Sequence, residues 1–232
     1  MQKTINSVLK QKTPPLYHVF VDLNSIDKTR KLINNYSKNT KNINVIVINQ
    51  INKGIYKAWN QGLIWLLQNI DKNHFISILN SDDWLSDDYI QKIEIFKEYD
   101  LIAGSGLVYY ENEQFIRPCR SLKLLPVFMP IIDPSLIVKA SVYRKIGLYR
   151  ERYKVAADHD FVYRAYDMGY EFKILKDTLV NIKMGGFAYK NRKKAFIEQL
   201  ELSRERCLFP LPEFAYLYRL FKFPRLRFFD FL

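Results

Sequence analysis

Residues 17–29 read Tyr-His-Val-Phe-Val-Asp-Leu-Asn-Ser-Ile-Asp-Lys-Thr. An aromatic and β-branched run ends on an acid, Asp22, passes through a polar turn and meets a helical pattern, which is how a strand feeds a crossover helix. The same sequence of events recurs on either side. Apolar runs at residues 45–49, 75–80 and 101–109 read as further strands. Between them Ile55, Trp59, Leu63, Leu66 and Ile70 recur at helical spacing, and Ile90, Ile93 and Phe96 follow the acidic start Asp87, Asp88. Such stripes are core faces. Strand and helix therefore alternate from residue 16 to about residue 110, the pattern of an α/β domain with a mostly parallel sheet.

Beyond residue 110 the alternation is lost. Residues 113–119 read as a strand, 121–133 as a proline-punctuated loop and 135–138 as a short strand before another helix. A helix over residues 158–168 precedes strand patterns at 172–175 and 178–182, and a charged helix spans 190–206. No repeat or low-complexity tract interrupts the chain, so one domain over residues 1–208 is expected. The last 24 residues, 209–232, differ in kind: nine are aromatic and four are Lys or Arg. A basic aromatic segment lying on anionic lipid and an arm folded back over the domain both suit this composition.

The whole chain has 232 residues, 48% of them hydrophobic and 26% charged, a globular composition rather than a disordered or disulfide-dense one. No apolar run reaches the roughly 20 residues needed to cross a bilayer. Residues 1–16 are too polar for a signal peptide. Two cysteines, Cys119 and Cys207, lack metal-ligand spacing and suit a reducing compartment. The expected location is cytoplasmic, with the tail offering peripheral attachment to the inner face of the plasma membrane. A net charge of +12 calls for an anionic partner. The basic residues are dispersed and no nucleic-acid-binding signature appears, so nucleic acid is not the expected one.

Ligands of open α/β sheets bind at the carboxyl ends of strands. Two strand ends there carry acids: Asp22, and the run Asn80, Ser81, Asp82, Asp83, Trp84. Adjacent carboxylates repel unless a cation neutralises them, and a divalent cation shared with a diphosphate does so with only one or two protein carboxylates. A third acidic group, Asp158, His159, Asp160, opens a helix. There Asp160 and Arg164 can pair four residues apart, a contribution of a few tenths of a kcal/mol. Asp158 points about 200° away from Asp160 and is free to face a cleft. Turn capping for the Asp82, Asp83 pair and dipole complementarity for Asp158 are the structural alternatives.

Together these segments resemble the family 2 glycosyltransferases, inverting enzymes with the nucleotide-diphospho-sugar transferase (GT-A) fold. Thr4, Ile5, Ser7, Val8 and Gln11 look like the family's first helix, and residues 22–29 like its strand-end Asp-Gly-Gly-Ser-Thr-Asp-Gly-Thr segment. Gly54, Ile55, Tyr56, Ala58, Asn60 and Gly62 resemble a Gly-Ile-Tyr-Asp-Ala-Met-Asn-Lys-Gly pattern of members that build bacterial surface polysaccharides. Residues 80–84 are similar to that subgroup's Asp-x-Asp motif, and residues 157–160 stand at the acidic catalytic motif. The resemblance implies that Asp22 contacts the nucleotide base and that Asp82 holds Mg or Mn on the donor diphosphate, with Asn80 and Asp83 nearby. It further implies that Lys53 and residues 54–60, Asn60 included, line the donor site. Asp158 is then the general base acting on a glycan or lipid-linked acceptor.

Several positions depart from the family pattern. Leu23 and Asn24 replace two glycines, Asn80 replaces an acid, Lys57 stands for Asp, and Asp133 in Asp-Pro-Ser stands where His is common. The family also opens with an apolar strand that nothing before Thr4 supplies. In a sheet of order 3-2-1-4 that strand lies centrally, so its absence leaves two unpaired strand edges. The expectation is a GT-A domain lacking its N-terminal strand, an N-terminally truncated product of low stability and activity. A non-catalytic remnant of the fold and a basic nucleic-acid-binding module are the alternative functions.

Overall fold

The computed structural model describes residues 1–206; the tail at 209–232 lies outside the described residues. Helix α1 (Gln2–Leu9) leads into β1 (Tyr17–Asp22), α2 (Thr29–Asn39), β2 (Asn44–Asn49), α3 (Ile55–Asn69) and β3 (Phe75–Ser77). After β4 (Trp84–Leu85) and α4 (Tyr89–Ile95) come the long β5 (Leu101–Tyr110) and β6 (Glu113–Arg117). Two short 3-10 turns then lead to β7 (Ile137–Lys139), α5 (Ala140–Ile146), α6 (Ala157–Asp167) and β8 (Phe172–Lys183). Helices α7 (Phe187–Lys190) and α8 (Arg192–Arg206) follow. No helix of the described residues is long and apolar enough to cross a membrane.

The strands form two sheets. β1 and β2 pair in parallel with each other. The larger sheet runs β3-β7-β5-β8-β4, with β6 paired to β5. Among the described residues β1 and β3 do not pair, which matches the interrupted sheet expected from the sequence. The sheet is mixed rather than mostly parallel. Only β1–β2 and β5–β8 are parallel, while the β3–β7, β5–β7, β5–β6 and β4–β8 pairs are antiparallel. For β5–β6 the connection decides this: two residues join the strands, too few for the dozen or more that a parallel crossover needs.

Strand β5 is buried on both faces. Leu101 and Ala103 enter one core cluster with α3, α5 and α6, whereas Ile102 enters a second with α1, α2 and α4. Successive side chains on a strand point to opposite faces, so a central strand must be apolar throughout. Gly104 marks where β8 presses closest, since a Cβ there would lie 2.5 Å from Leu179 and 2.9 Å from the Asp177 carbonyl. Beside it the Ser105 hydroxyl donates to the Lys176 carbonyl. The ladder shifts register at this point, and β8 passes through the irregularity as one strand where the sequence pattern suggested two.

Helix α6 is anchored by charge. Asp160 is fully buried and accepts from Arg164 Nε at 2.8 Å and from Arg150 Nη1 at 3.3 Å, with Arg206 Nη2 at 3.5 Å. Arg164 also donates to the carbonyls of Ile146 and Leu148, tying α6 to the end of α5. The Asp160 to Arg164 pair, expected as a surface contact of a few tenths of a kcal/mol, is thus a buried one. Removing one partner from such a pair leaves an uncompensated charge, so Asp160→Ala should lose about 3–5 kcal/mol of stability in chemical denaturation followed by circular dichroism.

Candidate functional site

At the end of β1 the chain turns over Asn24, whose φ of +50° is tolerated by Asn better than by most residues. The positive φ falls on Asn24, and Leu23 is left exposed. The turn brings Ser25 back onto Asp22, donating through its backbone N–H at 3.1 Å and through its hydroxyl. Arg30, in the first turn of α2, donates to Asp22 from Nε at 2.8 Å and reaches Asn24 and Asn49 through Nη2. Burial works to raise the Asp22 pKa, but the bonds from Ser25 and Arg30 outweigh it and hold the carboxylate below its ordinary range.

Beyond β3 the run Asn80 to Asp83 closes a turn, with the Asp83 N–H donating to the Asn80 carbonyl at 3.2 Å. The two adjacent acids part company here. Asp83 is 3% exposed and accepts from the Asn80 amide at 3.0 Å and the Lys183 backbone N–H at 3.1 Å. Burial pushes its pKa up to about 6. Asp82 faces outward, and a Cβ on Gly186 would come within 3.6 Å of its carboxylate.

Asp158 occupies the first turn of α6 and is half-buried. Its partner comes from α3, whose first residue follows Gly54 at φ +144°, a backbone angle that favours glycine. From there the Tyr56 hydroxyl reaches the Val155 carbonyl at 2.7 Å and Asp158 Oδ1 at 3.1 Å, sharing one proton between them. Stacking on Tyr149 and an edge contact with Trp59 fix the Tyr56 ring. Burial raises the Asp158 pKa to about 6, opposed in part by the bonds from its helix backbone and Tyr56 and by the charge of Arg117. Asp133, in the turn before β7, is pushed well above the ordinary range by burial and by the charges of Asp158 and Asp83.

The structure thus brings Asp83, Asp133 and Asp158 within one another's electrostatic reach, directly or through Asp133, while Asp22 belongs to a separate cluster with Arg30. Asn80 lies beside Asp83 as expected, and Lys53 is exposed on the loop before α3. Asn60 does something other than the donor contact expected of it. Its amide donates to the Tyr149 carbonyl at 2.8 Å and Glu151 Oε1 at 3.2 Å and accepts from the Tyr149 N–H at 3.0 Å, docking α3 on the loop ahead of α6. Among the described residues no group of three or more His, Cys, Asp or Glu side chains is placed to hold a metal ion. Sequence reasoning missed Asp133, Arg117 and the Tyr56 hydroxyl as site residues; of these, Tyr56 already stood in the Gly54 to Gly62 segment and Asp133 in the Asp-Pro-Ser departure.

The sequence profile described as glycosyl transferase family 2 matches residues 1–179, more than half of the chain. The chain belongs to this family. Glycosyltransferase GlyA of Streptococcus pneumoniae serotype 4 is 23% identical over 214 residues, which is 90% of this chain and 28% of that protein. The chain therefore spans little more than a quarter of that relative's length. Among solved structures, S. aureus TarS 1–349 matches at a TM-score of 0.65 and 18% identity, covering 99% of this chain and 70% of TarS 1–349. The same TarS fragment in complex with UDP matches at 0.64 and 19%, covering 97% and 68%. Mannosyltransferase PcManGT from Pyrobaculum calidifontis, in complex with GDP-Man and Mn2+, matches at 0.63 and 13%, covering 94% and 65%. At these identities the likeness to the solved structures establishes the family's GT-A fold in this chain.

Truncating Asn60 strands the Tyr149 N–H and carbonyl in a buried place. Asn60→Ala should lower stability by about 1–3 kcal/mol, read from urea unfolding monitored by tryptophan fluorescence near Trp59.

Proposed function

We propose that this family 2 chain transfers a sugar from a nucleotide-diphosphate donor to a hydroxyl of a glycan or lipid-linked acceptor, with inversion at the anomeric carbon. The observation that carries the reading is Asp158: a half-buried carboxylate held by the Tyr56 hydroxyl at the head of a helix, with its pKa raised to about 6. A base with a pKa near the working pH both stays deprotonated and retains proton affinity. Membership of the family and the complexes of similar folds with UDP and GDP-Man support a nucleotide-diphosphate donor. The likeness of residues 54–62 to members that build surface polysaccharides supports a glycan acceptor.

In this reading Asp158 accepts the acceptor proton as the hydroxyl oxygen attacks the anomeric carbon. The bond to the diphosphate oxygen breaks on the opposite side, and the nucleoside diphosphate leaves. Tyr56 keeps Asp158 Oδ1 oriented, leaving the other carboxylate oxygen for the acceptor. In the same reading Asp22, held by Arg30, would contact the nucleotide base, and the exposed Lys53 on the loop before α3 would meet phosphate. Mg or Mn fits Asp82 because that side chain is a single outward carboxylate, and such cations complete their shell with phosphate oxygens and water. When bound, the ion would supply charge stabilisation to the departing diphosphate. Asp83 would take no direct part, since its oxygens already serve Asn80 and Lys183.

The proposed location is peripheral on the inner membrane face, through the basic aromatic residues 209–232. The full chain should float with anionic liposomes and a 1–208 chain should not; equal flotation would remove the tail from this role. Catalysis is tested by transfer assays with a panel of nucleotide sugars. Asp158→Asn should reduce turnover ~100-fold or more, and Asp82→Ala should abolish metal-dependent turnover. Because Asp158 acts deprotonated, the rate should fall as the pH drops through about 6 and level off above it. Full activity of Asp158→Asn would refute the assignment.

A further inference from the structure

The loop that delivers the head of α6 is seated on a carboxylate 42 to 44 residues further along the chain. Glu198, on α8, is only 6% exposed although it is charged by type. Its Oε1 lies 2.9 Å from the Lys154 N–H, and its Oε2 lies 2.9 Å from Lys154 N–H, 2.8 Å from Val155 N–H and 3.0 Å from Ala156 N–H. Three successive backbone donors thus close on one anion, at the end of α6 where the helix dipole favours negative charge. Bonds from neutral N–H groups to an ionised acceptor are about twice as strong as neutral pairs.

Val155 is the hinge of the arrangement. Its N–H is taken by Glu198, and its carbonyl accepts from the Tyr56 hydroxyl that also holds Asp158. The path from Glu198 to the base is therefore continuous: carboxylate, Val155 peptide units, Tyr56 hydroxyl, Asp158 Oδ1. Helix α8 is itself held, through Leu202 buried in the first core and Arg206 on Asp160 and Asp167. It lies beyond residue 179, where the family match ends.

We propose that Glu198 is a positioning residue for the reaction: by seating the amides of residues 154–156 it fixes where Asp158 stands, so that α8, outside the family match, sets the geometry of the base. This rests on the glycosyltransferase reading above. A displacement of about 1 Å at a reacting group costs on the order of 100-fold in rate. The proposed loss is therefore in turnover and not in donor affinity.

The test uses the full chain with Glu198→Ala and Glu198→Gln, both first shown folded by circular dichroism and thermal melting. Gln keeps the reach and one accepting oxygen but turns an NH2 toward the amides, so it should fall between wild type and Ala. Expected for Glu198→Ala are faster amide hydrogen exchange at residues 154–158 than elsewhere, a turnover lowered ~10-fold or more, and a donor KM within about twofold of wild type. The groups facing Asp158 are Tyr56 from α3, Tyr149 from the loop before α6, Asp133 from the turn before β7, Arg117 from β6 and the His159 backbone of its own helix. Burial is the largest cause of its raised pKa, so a loosened seat that admits water should move the acid limb of the rate profile from about 6 toward the ordinary carboxylate range. A purely structural glutamate would lower the melting temperature and leave that limb in place. Unchanged exchange at residues 154–158, or unchanged turnover and acid limb in the folded Ala variant, would overturn the proposal. Retained turnover in Asp158→Asn would instead overturn the glycosyltransferase reading on which it rests, a result that no Glu198 variant can produce.

Discussion

Burial of carboxylates that are short of water is the constraint around which this molecule is organised. Burial raises the pKa of Asp83, Asp133 and Asp158, and the charges of Asp158 and Asp83 raise that of Asp133 further. Left on flexible segments, such groups would move apart or reach solvent. Here each is held by an element that cannot yield: Asp83 by the Lys183 backbone at the end of β8, Asp133 by the turn into β7, and Asp158 by α6. The acids are costly to the fold as charges, and that cost leaves Asp83 and Asp158 with proton affinity near neutrality.

Holding them requires rigidity from both directions. On the sheet side, β5 and β8 lie in register across most of their length, and Gly104 lets the two strands approach where a side chain would collide. From the helix side, the buried Asp160 gathers Arg150, Arg164 and Arg206 so that α6 cannot rotate without separating buried charges. Asp158 and Asp160 sit two residues apart on one helix and face opposite ways. Asp160 serves the interior as an anchor, and by fixing α6 it gives Asp158 a fixed direction.

Much of this was legible in the chain. The run from Tyr17 to Thr29 gave β1 with its correct ends and the start of α2, and the stripe from Ile55 to Ile70 gave α3. Such regions are governed by local periodicity, which sequence displays directly. Residues 78–80 read as strand because Ile78 and Leu79 are apolar, yet β3 stops at Ser77 and the chain turns to place Asp83 against the Lys183 backbone. The antiparallel pairings were hidden for a similar reason, since direction depends on which strands meet and not on their composition. Asp160 and Arg164 were visible as a pair, but their burial depends on Ile146, Leu148 and Arg206, all remote in sequence. Asn60 fitted a motif and proved to dock the loop at Tyr149, a role set by a partner 89 residues away. Glu198 gave no signal at all, because it is one charge among many on a charged helix and its meaning lies in three backbone amides that no side chain announces.

That last point bears on how a family fold acquires a particular chemistry. Residues 1–179 carry the matched profile, including every acid named from the sequence. The loop that leads into Asp158 is nevertheless seated on α8, after the match ends, through contacts to main-chain N–H groups that any residue except proline provides. A support of this kind places no demand on the side chains of residues 154–156, which are Lys, Val and Ala here. It requires only a carboxylate of the right length arriving from the right direction, so that the helix supplying it can change in sequence while the geometry of Asp158 is kept.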